Sequence, residues 1–108
     1  MAASNYAESL IALERFEEAR SLMRKTLPVA RRIIGESHEL TLKMRSTYAQ
    51  SLHLDDDATP DDLREAVTTL EEIERTARRV LGSAHPTTES LEGELRTARA
   101  ALSARESS

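Results

Sequence analysis

A phrase of twelve residues occurs twice in this chain of 108 residues. ARRIIGESHELT occupies positions 30–41 and ARRVLGSAHPTT occupies positions 77–88, an offset of 47 residues. Upstream, Tyr6 and Leu10 match Tyr48 and Leu52 at the smaller offset of 42 residues. Internal repetition with a period of this length indicates a stack of similar units, each of which buries its apolar face against its neighbours. The repetition therefore predicts a repeat architecture.

The two offsets differ because the second copy contains five additional residues between Leu54 and Leu63. The sequence there reads DDDATPDD, which is acidic, polar and contains a proline. Such a composition is typical of a loop. We therefore predict an underlying period of 42 residues, with an inserted loop at residues 55–59. The loop leads into Thr59 and Pro60, a pair that resembles a capping box with proline at the first helical position.

Apolar residues within each copy recur at steps of three and four, which is the spacing of amphipathic helices. This pattern predicts an all-α fold. Pro28 lies inside the second helix and removes the N–H that would bond to the carbonyl of Arg24. We expect it to bend or break that helix near Leu27. The five predicted helices occupy residues 4–14, 16–34, 39–54, 60–81 and 86–104.

The repeated phrase marks the places where one helix ends and the next begins. Gly35 and Gly82 follow apolar pairs, so we expect both to take the left-handed backbone that ends a helix. His85 precedes Pro86, which disfavours helical angles at the histidine and suits it to an N-cap role. By the repeat register, His38 is expected to cap the third helix in the same way.

Composition excludes several classes of protein. The net charge of −4 repels phosphate groups, so neither nucleic acid nor an anionic membrane is an expected partner. With no cysteine, the chain forms neither a disulfide nor a thiolate metal site. The sequence shows no signal peptide and no apolar run of the ~20 residues that span a bilayer. We therefore expect a cytoplasmic protein.

Residue types that often bind metals or perform catalysis form no convincing motif. Of the three histidines, His38 and His85 lie at equivalent corners a full repeat apart, whereas zinc requires three or four converging ligands. The acidic loop lacks the glycine of a calcium loop and has Ala66 at the position of its glutamate. No nucleophile elbow or glycine-rich phosphate loop is present. The sequence predicts no enzyme activity, no metal and no cofactor.

The motifs together resemble the tetratricopeptide repeats of the kinesin light chain type. The matching phrases are YAESL, RFEEA and IIGESHELT in the first copy and YAQSL, DLREA and VLGSAHPTT in the second. The resemblance covers nearly the whole chain and implies an α-solenoid of antiparallel helix pairs, with about two and a half repeats. Repeats are expected at residues 4–38 and 39–85, followed by a terminal helix at 86–104. Glu14 departs from the family pattern, because it stands where the family usually turns on a glycine.

The resemblance also implies a concave groove lined chiefly by the first, third and fifth helices, where some relatives bind peptides. The chain is therefore predicted to be a non-catalytic scaffold or interaction module that binds a peptide or a partner helix. The alternative is an architectural or oligomerisation segment of a longer array, with no groove ligand. The expected groove residues are Glu8, Ile11, Ala12, Ser46, Gln50, His53, Gly93, Thr97 and Ala100.

The N-terminal face of the predicted stack lacks a polar capping helix. We expect Tyr6, Leu10 and Leu13 to be only partly covered. Solenoids generally need about three repeats and solvating terminal units for stability. Two explanations remain open: the chain is the C-terminal piece of a longer array, or this face pairs with a partner or a second copy. Of the two, we expect self-association through the face.

Overall fold

The computed structural model describes the backbone of residues 2–107 and the side chains of residues 5–107. Within this part of the chain the fold is all-helical, and each helix begins and ends within two residues of its predicted bounds. The prediction of an α-helical repeat solenoid is confirmed. The five helices are α1 (Ala2–Ala12), α2 (Phe16–Ile34), α3 (Glu39–His53), α4 (Pro60–Val80) and α5 (Pro86–Glu106).

The helices form two layers. Each helix packs on the next along the chain, and α3 also contacts both α1 and α5. The odd-numbered helices therefore form one layer, with α2 and α4 packed against it. All nine expected groove residues belong to the layer of α1, α3 and α5.

The apolar core consists of two adjoining clusters. The larger joins α3, α4 and α5 and includes Leu70 and Leu91, both almost fully buried. The smaller joins α1, α2 and α3 around Met23 and Met44. Tyr48 packs against both clusters, so α3 connects them. Because both cores lie between the layers, the outer surface of α1, α3 and α5 is left free to form a groove.

His38 and His85 are the N-caps of α3 and α5, as the sequence predicts. Both have an extended backbone, with ψ of 138°. The Nδ1 atom of His38 accepts a hydrogen bond from the Leu40 N–H at 3.1 Å, and that of His85 accepts one from the Thr87 N–H at 3.1 Å. Each imidazole thus satisfies one of the N–H groups that a helix start leaves without an intrahelical partner.

Gly35 and Gly82 have positive φ values of 93° and 96°. Nothing lies within 4 Å of a Cβ built on either residue, so the backbone conformation, and not a shortage of space, favours glycine there. Gly82 follows α4 and donates to the carbonyl of Ala77 at 3.2 Å. Gly35 differs from the expected left-handed helical conformation because its ψ is 157°. Its backbone lies in a region that is accessible almost only to glycine.

The inserted loop is packed against the rest of the fold. Ala58 is 3% exposed, and the guanidinium of Arg105, in the last turn of α5, donates to its carbonyl. The loop ends in the predicted capping box, in which Thr59 and Asp62 each accept a hydrogen bond from the other's N–H at 3.1 Å. The insertion therefore joins α3 to α4 while contacting the end of α5.

Pro28 does not break the second helix, which was one of the two outcomes expected of it. Helix α2 runs without interruption from Phe16 to Ile34. Pro28 is exposed, while Leu27 and Ala30 on either side of it are buried in the smaller cluster. Packing of these neighbours outweighs the single backbone hydrogen bond that the proline removes.

The N-terminal face is covered unevenly. Tyr6 and Leu13 are 56% and 65% exposed, in agreement with the expectation that they are only partly covered. Leu10 was expected to be partly covered, but it is 2% exposed. The reason is its position at i+3 from the buried Ala7, on the face of α1 that packs onto the rest of the fold.

Candidate functional site

Two open clefts lie next to each other on the layer formed by α1, α3 and α5. They share Gln50, Ser90 and Glu94, so they form one continuous surface, which we call the α1–α3–α5 groove. The first cleft has a volume of about 440 Å³ and is lined by Glu8, Lys43, Ser46, Thr47, Gln50, Pro86, Thr87, Ser90, Leu91 and Glu94. The second cleft, of about 410 Å³, is lined by Gln50, His53, Leu54, Glu89, Ser90, Gly93, Glu94 and Thr97.

The groove brings together most of the residues that the sequence indicated. Those that line a cleft are Glu8, Ser46, Gln50, His53, Gly93 and Thr97. Ile11, Ala12 and Ala100 line neither of the two.

Glu94 is the charged residue at the centre of the groove. Its Oε2 atom accepts a hydrogen bond from the Ser46 hydroxyl, and its Oε1 atom accepts one from the side-chain amide of Gln50. Burial raises the pKa of the Glu94 carboxyl above its ordinary value, although the two hydrogen bonds act in the opposite direction. These contacts connect α3 to α5 across the floor of the groove.

The sequence interpretation missed Glu94, although a signal was present. Ser90, Glu94 and Thr97 follow one another at steps of four and three, which places them on one face of α5. Thr97 was among the expected groove residues, so the same face could have supplied the other two. What the sequence could not show is the pairing of Glu94 with Ser46, which is 48 residues away.

A second polar connection lies at the start of the same helices. The Thr87 hydroxyl donates to the Glu39 carboxylate at 2.6 Å, and the Lys43 ammonium lies 3.5 Å from the same group. The hydrogen bond from Thr87 is the main reason why the pKa of Glu39 is lowered. Lys43 is the one basic residue among those that line the two clefts, and Glu39 compensates its charge.

The groove therefore has a negative balance. Glu8, Glu89 and Glu94 line it, and within the described residues none of them takes part in an ion pair. The guanidinium of Arg96 lies close to Gly93 at the edge of the second cleft but does not line it. A groove with uncompensated carboxylates attracts cationic groups and repels anionic ones.

His53 is the least satisfied polar side chain of the groove. It is 7% exposed, and within the described residues neither ring nitrogen has a hydrogen-bond partner. Burial lowers the pKa of the imidazole, which favours the neutral ring. An unpaired polar group in the interior costs about 1–3 kcal/mol. The sequence interpretation assigned His53 to the groove but did not foresee its burial.

Within the described residues, no helix is both long and apolar enough to cross a membrane. Comparisons with curated proteins and with solved structures give no match.

Comparison with family models gives a match. The family model for the tetratricopeptide repeat matches residues 1–59, which is more than half of the chain and includes all of α1, α2 and α3. Proteins of this family are generally non-catalytic modules that bind other proteins. The chain therefore belongs to the tetratricopeptide repeat family.

Proposed function

We propose that this chain is an interaction module that holds a peptide or a partner helix in the α1–α3–α5 groove. The main support is the polar floor formed by Ser46, Gln50 and Glu94, which joins two helices beneath one continuous groove. Polar groups in fixed positions give an extended ligand defined hydrogen-bonding partners. The groove also runs across three helices, which gives a peptide a long surface to follow.

The repeat subtype and the division into units are part of the same proposal. The cap formed by the Nδ1 atom of each corner histidine gives a physical role to the histidine of the kinesin light chain type phrase. We therefore propose that the chain is of this type. We also propose repeats at residues 4–38 and 39–85, with a terminal helix at 86–104.

A test of groove binding needs a substitution that blocks the groove without disturbing the fold. His53 is unsuitable, because replacing a 7% exposed side chain with arginine would bury a charge. Ser90 is exposed, lies on α5 and lines both clefts. Ser21 is also an exposed helical serine, on α2, and lines neither cleft of the groove. Ser90→Arg and Ser21→Arg are therefore a matched pair.

The experiment is a selection of peptides from a randomised library with the wild-type chain, followed by titration of both variants. A groove binder should yield peptides whose affinity falls by about tenfold or more in Ser90→Arg, since a bulky side chain then fills the shared part of the clefts. The same peptides should bind Ser21→Arg as they bind the wild type. If the selected peptides bind all three proteins equally, the groove is not the binding surface.

The second candidate function is architectural, and the exposed apolar residues favour it. Tyr6, Leu13 and Ile33 are 56%, 65% and 71% exposed. Covering such residues in an assembly would remove apolar area from water. In this case the chain would associate through its N-terminal face and the groove would stay empty. Sedimentation measures the association state directly. A chain that stays monomeric at high protein concentration would contradict self-association.

A further inference from the structure

The chemistry of the groove narrows the kind of ligand that the proposed module accepts. The three carboxylates of Glu8, Glu89 and Glu94 have no ion-pair partner among the described residues, while Lys43 is already paired with Glu39. A partner that enters this groove meets a negative field. Charge complementarity therefore favours a basic segment over an acidic or neutral one.

The hydrogen bonds already made by Glu94 define what else it can bind. An ionised carboxylate has about four lone-pair sites, two on each oxygen. The Ser46 hydroxyl occupies one site on Oε2, and the Gln50 amide occupies one site on Oε1. One acceptor site therefore remains on each oxygen. Two free sites on adjacent oxygens match the paired N–H groups of a guanidinium, whereas an ammonium acts as a single point charge.

His53 gives a second, independent indication of a ligand. It lines the second cleft together with Glu94 and Gln50, and both of its ring nitrogens lack a partner among the described residues. A neutral imidazole has one N–H donor and one acceptor nitrogen. Polar atoms of a buried side chain are normally paired in a native structure. Both nitrogens are buried, so the ring must turn toward the cleft before its acceptor can bond to an N–H group of a ligand.

We propose that the α1–α3–α5 groove binds an arginine side chain of the partner segment, with its guanidinium bonded to both oxygens of Glu94 beside His53. This inference rests on the proposed function, since it names the ligand chemistry of the same groove. The neighbouring Glu8 and Glu89 make the field around that guanidinium more negative. Gly93 leaves the adjacent wall open, because only the Arg96 guanidinium lies within 4 Å of a Cβ built there.

The test uses the peptides selected from the randomised library with the full chain. Those whose binding is lost in Ser90→Arg should contain arginine more often than the unselected library does. Replacing that arginine with citrulline, which keeps its shape but not its charge, should weaken binding by about tenfold or more, since the charge of the hydrogen-bond donor is lost. Replacement with lysine should also weaken binding, because the paired geometry is lost.

Two protein variants complete the design. In Glu94→Gln the arginine and citrulline peptides should bind with nearly equal affinity. Glu17 is an exposed acid of α2 that forms no ion pair with any described residue, so Glu17→Gln should keep the wild-type preference. The folded state of each variant is checked by its circular dichroism spectrum and its thermal midpoint.

The outcomes distinguish this inference from the function on which it rests. The guanidinium site would be overturned if the groove-dependent peptides lacked arginine. It would also be overturned if the wild type bound the citrulline or lysine peptide as tightly as the arginine peptide. Both results would leave the proposal of a peptide groove intact. If the library yields no peptide that depends on Ser90, both proposals are wrong. A preference for arginine that survives Glu94→Gln would place the cation on other groups and would also overturn the assignment.

Discussion

Glu14 ends the first helix in a conformation that glycine would adopt at lower cost. Its φ is 61°, the one positive value found at a non-glycine residue in the described chain. The Glu14 N–H bonds to the carbonyl of Ile11 at 2.9 Å, and the Arg15 N–H bonds to the carbonyl of Leu10 at 2.8 Å. This pair of hydrogen bonds is the Schellman motif, whose left-handed residue is usually glycine.

We expect Glu14→Gly to stabilise the fold. A left-handed backbone costs a residue with a side chain about 1–2 kcal/mol, whereas glycine loses roughly 0.5–1 kcal/mol more conformational entropy on folding. The free energy of unfolding should therefore rise by about 0.5–1 kcal/mol, measured by urea denaturation. The control is Glu17→Gly in the first turn of α2, which should lower it, because glycine loses more conformational entropy and the helix start loses a favourable carboxylate. Loss of stability at both positions would contradict this account of the turn.

His53 should make the stability of the fold depend on pH. Burial lowers the pKa of its imidazole below the ordinary 6.5, so the unfolded chain takes up a proton at a higher pH than the folded chain does. As the pH falls below about 6.5, protonation stabilises the unfolded state relative to the folded state, so the free energy of unfolding falls. The loss for one proton amounts to at most about 1.4 kcal/mol per pH unit.

The comparison is between the wild type and His53→Leu, by urea denaturation at several pH values between neutral and mildly acidic. The difference in unfolding free energy should shift in favour of the variant as the pH falls. Glu94 has a raised pKa and so gives a slope of the opposite sign, but it is present in both proteins and cancels in the difference. If the free energies of unfolding of the two proteins change with pH in parallel, the pKa of His53 is not lowered by folding.

At the scale of the element, α2 contains a proline that the rest of the helix tolerates. Pro28 leaves the carbonyl of Arg24 without its usual backbone donor, yet α2 continues to Ile34. Restoring the N–H with Pro28→Ala should raise the free energy of unfolding by about 1–3 kcal/mol, because proline is that much less favourable than alanine inside a helix.

The control for that prediction is Ser21→Ala, at an exposed position of the same helix, where the change should stay within about 0.5 kcal/mol. Chemical denaturation of the two variants and the wild type under identical conditions measures both effects. If Pro28→Ala is neutral or destabilising, the backbone of α2 is adapted to the proline and the lost hydrogen bond carries no net cost.

Local sequence rules explain how well the elements themselves could be predicted. The corner histidines, the two glycines that follow α2 and α4, and the Thr59 capping box act over a few residues, so their spacing alone locates the helix ends. That α2 continues past Pro28 could not be predicted, because packing, which local rules do not include, decides whether a helix continues. The burial of Leu10 was missed for the same reason.

At the scale of the whole molecule, the repeat register predicts which helices share a layer but not which side chains meet across it. Six expected residues line the groove because register fixes the face of each helix. The contacts of Glu94 with Ser46 and Gln50 depend on the distance between α3 and α5, which the sequence does not encode locally. Glu94, at the centre of the groove, was therefore not predicted from the repeat register.

The groove is also the surface on which the whole account depends. Two buried clusters fix the relative positions of α1, α3 and α5, so the groove walls are held by the core and not by the ligand. A peptide that binds there should perturb residues of these three helices and leave the exposed face of α2 and α4 unchanged.

The most direct measurement is a nuclear magnetic resonance titration of the isotope-labelled chain with a selected peptide, followed through the backbone amides. The account predicts that the largest shifts cluster at Ser46, Gln50, Ser90 and Glu94, and that they disappear in Ser90→Arg but persist in Ser21→Arg. Shifts confined to α2 and α4, or to the exposed apolar residues Tyr6 and Leu13 at the N-terminal face, would contradict it.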